Sequence, residues 1–99
     1  MNMEKKTNKY HLTLKLTEYA GEETQPEKEL ELDFENHDEI FSIIERIRAK
    51  DPFGNAAQAE EFALGLKLFS EVMIKNRKHP LFDELGEVFP AFMKKLKSL

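Results

Sequence analysis

The stretch from Asn55 to Arg77 constrains this chain most, because it reads as one long helix that is apolar on two sides. At 100° per residue, Ala59, Phe62, Ala63, Leu66, Phe69, Ser70 and Met73 share one face. Leu64, Leu68 and Val72, spaced i, i+4, i+8, form a second stripe almost opposite. A helix apolar on two sides needs cover on two sides. Either the fold wraps it, or the second stripe meets another molecule. Gly65 stands between the stripes and costs about 1 kcal/mol against Ala in a helix, so close approach of another backbone is the expected reason for it.

Upstream, the apolar period changes from helical to two. Tyr10, Leu12, Leu14 and Leu16 alternate with His11, Thr13, Lys15 and Thr17, the pattern of a half-buried strand. Leu30, Leu32 and Phe34 alternate with Glu29, Glu31 and Asp33 after a polar connection, Gly21 to Pro26. Two such runs predict an antiparallel hairpin whose wet face sets Lys15 and the threonines near a row of carboxylates. The connection is too long to fix the register.

Asn36, with Glu39 three residues on, reads as the cap of a first helix, and Asp38 and Glu39 favour its positive end. Ile40, Phe41, Ile43, Ile44 and Ile47 form its apolar stripe. Pro52 disfavours helical geometry at Asp51, so this helix should end near Lys50. Asn55 then caps the long helix. Lys75, Arg77, Lys78 and His79 complement its negative end, and Pro80 stops it. Leu81 to Leu85 reads as a short helical turn ending near Gly86. A last helix follows, about Val88 to Lys97, with Pro90 in its first turn.

The expected architecture is therefore α+β: an N-terminal antiparallel hairpin packed on two to three helices, in the order β-β-α-α-α. Residues 1–8 read as a flexible leader and 9–99 as a single domain, the only count that 99 residues support. An isolated hairpin is marginal in water. The Phe62/Leu66/Phe69/Met73 face is the expected cover for it.

Composition limits function more than it suggests one. The absence of cysteine removes disulfides, thiolate metal sites and cysteine nucleophiles, and fits a reducing cytoplasm. No apolar run approaches the ~20 residues that cross a bilayer, and no signal-peptide pattern precedes the first strand. The last helix is amphipathic and lysine-bearing, but its apolar residues are needed for the core, so no membrane contact is expected. Net charge is −4. Ten acidic residues and one basic residue fall between Glu18 and Glu39, while lysines gather near the C-terminus. An acidic domain is a poor binder of phosphate backbones, so no nucleic-acid partner is expected. Such charge runs are ordinarily solvated faces.

His11, His37 and His79 are the candidates for acid–base work or imidazole ligation, and they are widely separated. His37, beside Asp38, is the most suggestive of them. Asp51 to Asn55 lacks the regular oxygen ligands and terminal Glu of a calcium loop. The four glycines form no phosphate-cradling loop. The expectation is no catalytic residue, no metal and no cofactor.

At Phe34 to Phe41 (FENHDEIF) and Gly65 to Phe82 (GLKLFSEVMIKNRKHPLF), the chain resembles a small bacterial family catalogued as domain of unknown function 3861. The resemblance spans nearly the whole chain. It implies a bacterial source and a compact α+β domain, and carries no activity or site residue. The functional expectation is a non-enzymatic protein–protein interaction or accessory domain that forms a homodimer, with Leu64, Leu68 and Val72 as contact residues. The alternative is a small ligand-binding protein or enzyme with a site at the end of the long helix, using Asn76, Arg77, His79 and Phe82.

Overall fold

The computed structural model describes residues 6–21 and 27–99. Within them the order is strand β1 (Asn8–Lys15), strand β2 (Glu29–Asn36), helix α1 (Ile40–Lys50), helix α2 (Ala56–Lys75), a 3₁₀ turn (Pro80–Phe82) and helix α3 (Asp83–Lys97). This is the expected β-β-α-α-α arrangement with a long central helix. The chain divides into two compact units, Met1–Asp38 and Glu39–Leu99. Residues 1–5 of the leader and most of the Gly21 to Pro26 connection lie outside the described residues, whereas Asn8, read as the end of the leader, opens β1.

In the first unit β1 and β2 pair antiparallel, Asn8 opposite Asn36 through Lys15 opposite Glu29. This register puts every apolar residue against another, Tyr10 on Phe34, Leu12 on Leu32 and Leu14 on Leu30. The Tyr10 and Phe34 rings stack at 5.3 Å. A one-residue slip would mix the two faces, so the pattern excludes it, while the choice among registers two residues apart is made by the fold. The same register sets Lys9, His11, Thr13 and Lys15 against Glu35, Asp33, Glu31 and Glu29, the expected ladder of opposite charge.

Asn36 does not open α1. It ends β2, buried at 2% exposure, and its side-chain oxygen accepts from the Asp38 N–H at 2.9 Å. That local turn competes with a helical start. Glu39 is the cap instead, accepting from the Phe41 N–H and, at 3.1 Å, from the Ser42 hydroxyl. Asp38 and Glu39 therefore precede the helix. At the other end Asp51 takes a left-handed conformation (φ 46°) and its N–H bonds to the Arg48 carbonyl. Pro52 follows, as expected.

In the second unit α1 packs on α2. The core is Ile47, Ala59 and Ala63, with Ile43, Ile44, Phe62 and Leu96 against it. Ala59 and Ala63 are 1% and 0% exposed. Small residues there let the two backbones approach closely, and the isoleucines of α1 fill the groove they leave. Of the Phe62/Leu66/Phe69/Met73 face of α2, expected to cover the hairpin, Phe62 and Phe69 meet the 3₁₀ turn and α3 within the helical unit. Phe62 meets Phe92 edge-on, and Phe69 meets both Phe82 and Phe89. Lys50 Nζ donates to the Lys97 and Leu99 carbonyls, tying the end of α1 to the end of α3.

Two sequence expectations, one about α3 and one about α2, need correction. The α3 helix runs unbroken from Asp83 through Gly86 and Pro90, so the short turn expected at Leu81 to Leu85 is confined to the 3₁₀ turn at Pro80–Phe82, with no break at Gly86 and no new start at Val88. Pro90 removes a backbone bond to Gly86, which costs about 3 kcal/mol in an isolated helix. The ring contacts of Phe89 and Phe92, on either side of Pro90, offset that cost. Acidic Asp83 and Glu84 begin the helix and Lys94, Lys95 and Lys97 end it, in agreement with its dipole. Gly65 is the second correction. A Cβ built there meets no heavy atom within 4 Å, so none of the described residues approaches it closely.

Candidate functional site

The residues proposed at the end of the long helix separate into two pairs once α2 is seen to stop at Lys75. Asn76 closes the helix, its side-chain amide donating to the Val72 carbonyl at 2.8 Å. His79 lies beyond the helix and does not serve its negative end. It caps the following 3₁₀ turn, Nδ1 accepting from the Leu81 N–H at 3.1 Å, with its ring edge-on to Phe82. These two side chains are occupied by local backbone. Arg77 and Phe82, by contrast, meet at one cleft.

Met73, Ile74 and Arg77 of the α2 end, Phe82, and Gly86, Phe89 and Pro90 of α3 enclose a volume of about 400 Å³. Met73 and Phe82 are buried and form an apolar floor, whereas Arg77 is exposed. No carboxylate lines the cleft. Gly86, Phe89 and Pro90 were missed as site residues because Gly86 was read as a helix end. The spacing Phe82, Leu85, Phe89, Phe92, Leu96 was the available sign that one helix continues.

The second stripe of α2 is less uniform than its spacing suggests. Leu64 and Leu68 are half-buried, and Val72 is 54% exposed. Ile74 and Phe69 add exposed apolar surface on the same helix.

On the hairpin, His11 is the histidine with close acidic partners. Its Nδ1 lies 2.6 Å from an Asp33 carboxylate oxygen and its Nε2 3.5 Å from one of Glu31. The hydrogen bond with Asp33 holds the His11 pKa above its usual 6.5, against the opposing effect of desolvation and with further help from the Asp33 charge and the Glu31 hydrogen bond. His37, favoured from sequence, lies in the turn after β2 rather than in a helix, and its carbonyl accepts from Asn8 Nδ2. Among the described residues no three histidine or carboxylate side chains are grouped to hold a metal ion.

The sign of the His11 effect follows from linkage. A pKa raised by folding contributes stability that is complete below about 6.5 and is lost as pH rises through the folded-state value. A proton NMR titration should give a His11 midpoint above the ordinary imidazole value, and Asp33→Asn should bring it back down. An unchanged midpoint in Asp33→Asn would refute the pairing. Added salt should weaken the shift, because the group is solvated.

None of the described helices is long and apolar enough to cross a membrane. A crystal structure of a protein of unknown function from Pectobacterium atrosepticum is similar to this chain. The two share 35% identity over 95% of this chain and 100% of that one, with a TM-score of 0.81. No curated protein matches. The model of a domain of unknown function with solved structure, DUF3861, matches residues 8–98, and the chain therefore belongs to that family.

Proposed function

We propose that this protein is a non-enzymatic interaction domain of the bacterial cytoplasm that works as a homodimer. The exposed apolar surface is the observation that carries this reading. Leu14, Leu30 and Leu32 on the hairpin are 64%, 56% and 41% exposed, and Val72 and Ile74 on α2 are 54% and 50% exposed. Helix α3 has no fully buried residue, although Val88 and Phe92 are on it. Large apolar side chains left exposed in number, within each unit by itself, favour contact with another molecule. The Leu64/Leu68/Val72 stripe is the proposed contact on α2. The cytoplasmic placement rests on the absence of cysteine and of any apolar segment long enough to anchor the described chain.

Size exclusion with light scattering tests the dimer. A mass near twice 11.6 kDa is expected, and Val72→Glu should lower it to one chain. A single-chain mass at high micromolar concentration would overturn the reading. The alternative, a ligand-binding protein or enzyme at Asn76–Phe82, has the cleft at Arg77 and Phe82 in its favour. That cleft is lined by no nucleophile and no general base, which supports binding without turnover.

A further inference from the structure

We propose that the cleft between the end of α2 and the Gly86–Pro90 turn of α3 binds a small carboxylate with an aromatic or branched aliphatic body. Its volume of about 400 Å³ falls within the range of small-molecule sites, and its floor of Met73 and Phe82 is buried and apolar. One charged side chain lines it. Arg77 forms no ion pair with any described residue, and no acidic residue shares the cleft to neutralise it. An apolar slot with a single free guanidinium at its edge is complementary to an anion with an apolar body. The planar fork of Arg matches a carboxylate through two parallel hydrogen bonds.

Gly86 supplies an independent reason. It stands inside α3, where glycine is about 1 kcal/mol worse than alanine. A Cβ there would meet no heavy atom within 4 Å, so packing within this chain does not exclude a larger residue. Its bare backbone leaves the cleft open, and the helix bears the cost. A ligand body lying across Gly86, with its carboxylate turned to Arg77, would use the space that the missing side chain leaves. Asn76 and His79 are already bonded to local backbone, so specificity for charge falls to Arg77 alone.

The test uses 3-phenylpropionate and its uncharged analogue 3-phenylpropanamide, followed by amide shifts of the intact protein. Saturable shifts are expected at Ile74, Arg77, Gly86 and Phe89, with the carboxylate favoured about tenfold over the amide, the usual worth of a charge-assisted bond. Arg77→Gln should remove that preference while leaving weak binding of both compounds. Gly86→Leu should fill the cleft and abolish both, with helix content by circular dichroism unchanged or higher. No saturable shift at 10 mM, equal binding of acid and amide, or binding retained in Gly86→Leu would each overturn the proposal. Tighter binding of an acetylated peptide ending in Phe would also overturn it, by assigning the cleft to chain termini. The Arg77 and Gly86 variants leave Val72 intact, so failure here is separable from failure of the dimer.

Discussion

Replacing Ile47 by Ala should destabilise the helical unit by about 2–4 kcal/mol, measured as a fall in the urea midpoint with little change in slope. Ile47 is 4% exposed and packs with Ala59 and Ala63, which have no side-chain length to collapse into the space left behind. The loss therefore includes both the transfer of the removed carbons and a residual cavity. The half-buried neighbours Ile43 and Ile44 can shift only along α1, whose position is fixed at the Lys50 end by bonds to the Lys97 and Leu99 carbonyls. A loss below about 1 kcal/mol would mean that the helices reclose over the gap and that this small core is fluid.

The reciprocal change, Ala63→Leu, should cost about 1–3 kcal/mol by forcing α1 and α2 apart. Ala63 is wholly buried, so added carbons have no route to solvent. Leucine favours a helix nearly as well as alanine, and the loss therefore reports packing rather than propensity. Combined with Ile47→Ala, the new leucine has a cavity to enter. The double variant should be less destabilised than the sum of the two by about 1 kcal/mol or more. Strict additivity would show that the two positions do not share one contact, and the described core would be wrong. The Arg48–Glu60 pair at 3.2 Å also joins α1 to α2, but both side chains are about half exposed. Breaking it should change stability by under about 1 kcal/mol.

These contrasts explain how much could be read in advance. The hairpin was legible because both strands alternate apolar and polar residues, but its register was not, because shifts of two residues keep the faces matched; the fold sets Tyr10, Leu12 and Leu14 against Phe34, Leu32 and Leu30. The start of α2 was legible because Asn55 is a favoured cap residue just after the Pro52–Gly54 turn, and it accepts from the Gln58 N–H at 3.0 Å. The start of α1 was not, because Asn36 and Glu39 are both competent caps. Burial of Asn36 and its bond from Asp38 decided between them. His79 shows the same limit. Its charge suited the end of α2, but Asn76 ended that helix first and left His79 to the following turn.

Of the candidate site, Arg77 and Phe82 were named from sequence, and the cleft brings them together. Gly86, Phe89 and Pro90 were not, because local rules read Gly86 as a stop and Pro90 as a start. Contacts of Phe89 and Phe92 with Phe69 and Phe62, distant in sequence, outweighed both signals.

The sequence by itself determined the element order, the alternation of both strands and the two-sided character of the long helix, since each follows from spacing and local chemistry along the chain. Tertiary structure alone decided which side of α2 each partner takes. Ala59 and Ala63 admit α1 because they are short, whereas Phe62 and Phe69 receive the aromatic side chains of the 3₁₀ turn and α3. Periodicity records that a face is apolar. The size and shape of its residues, matched against a distant partner, determine what fills it.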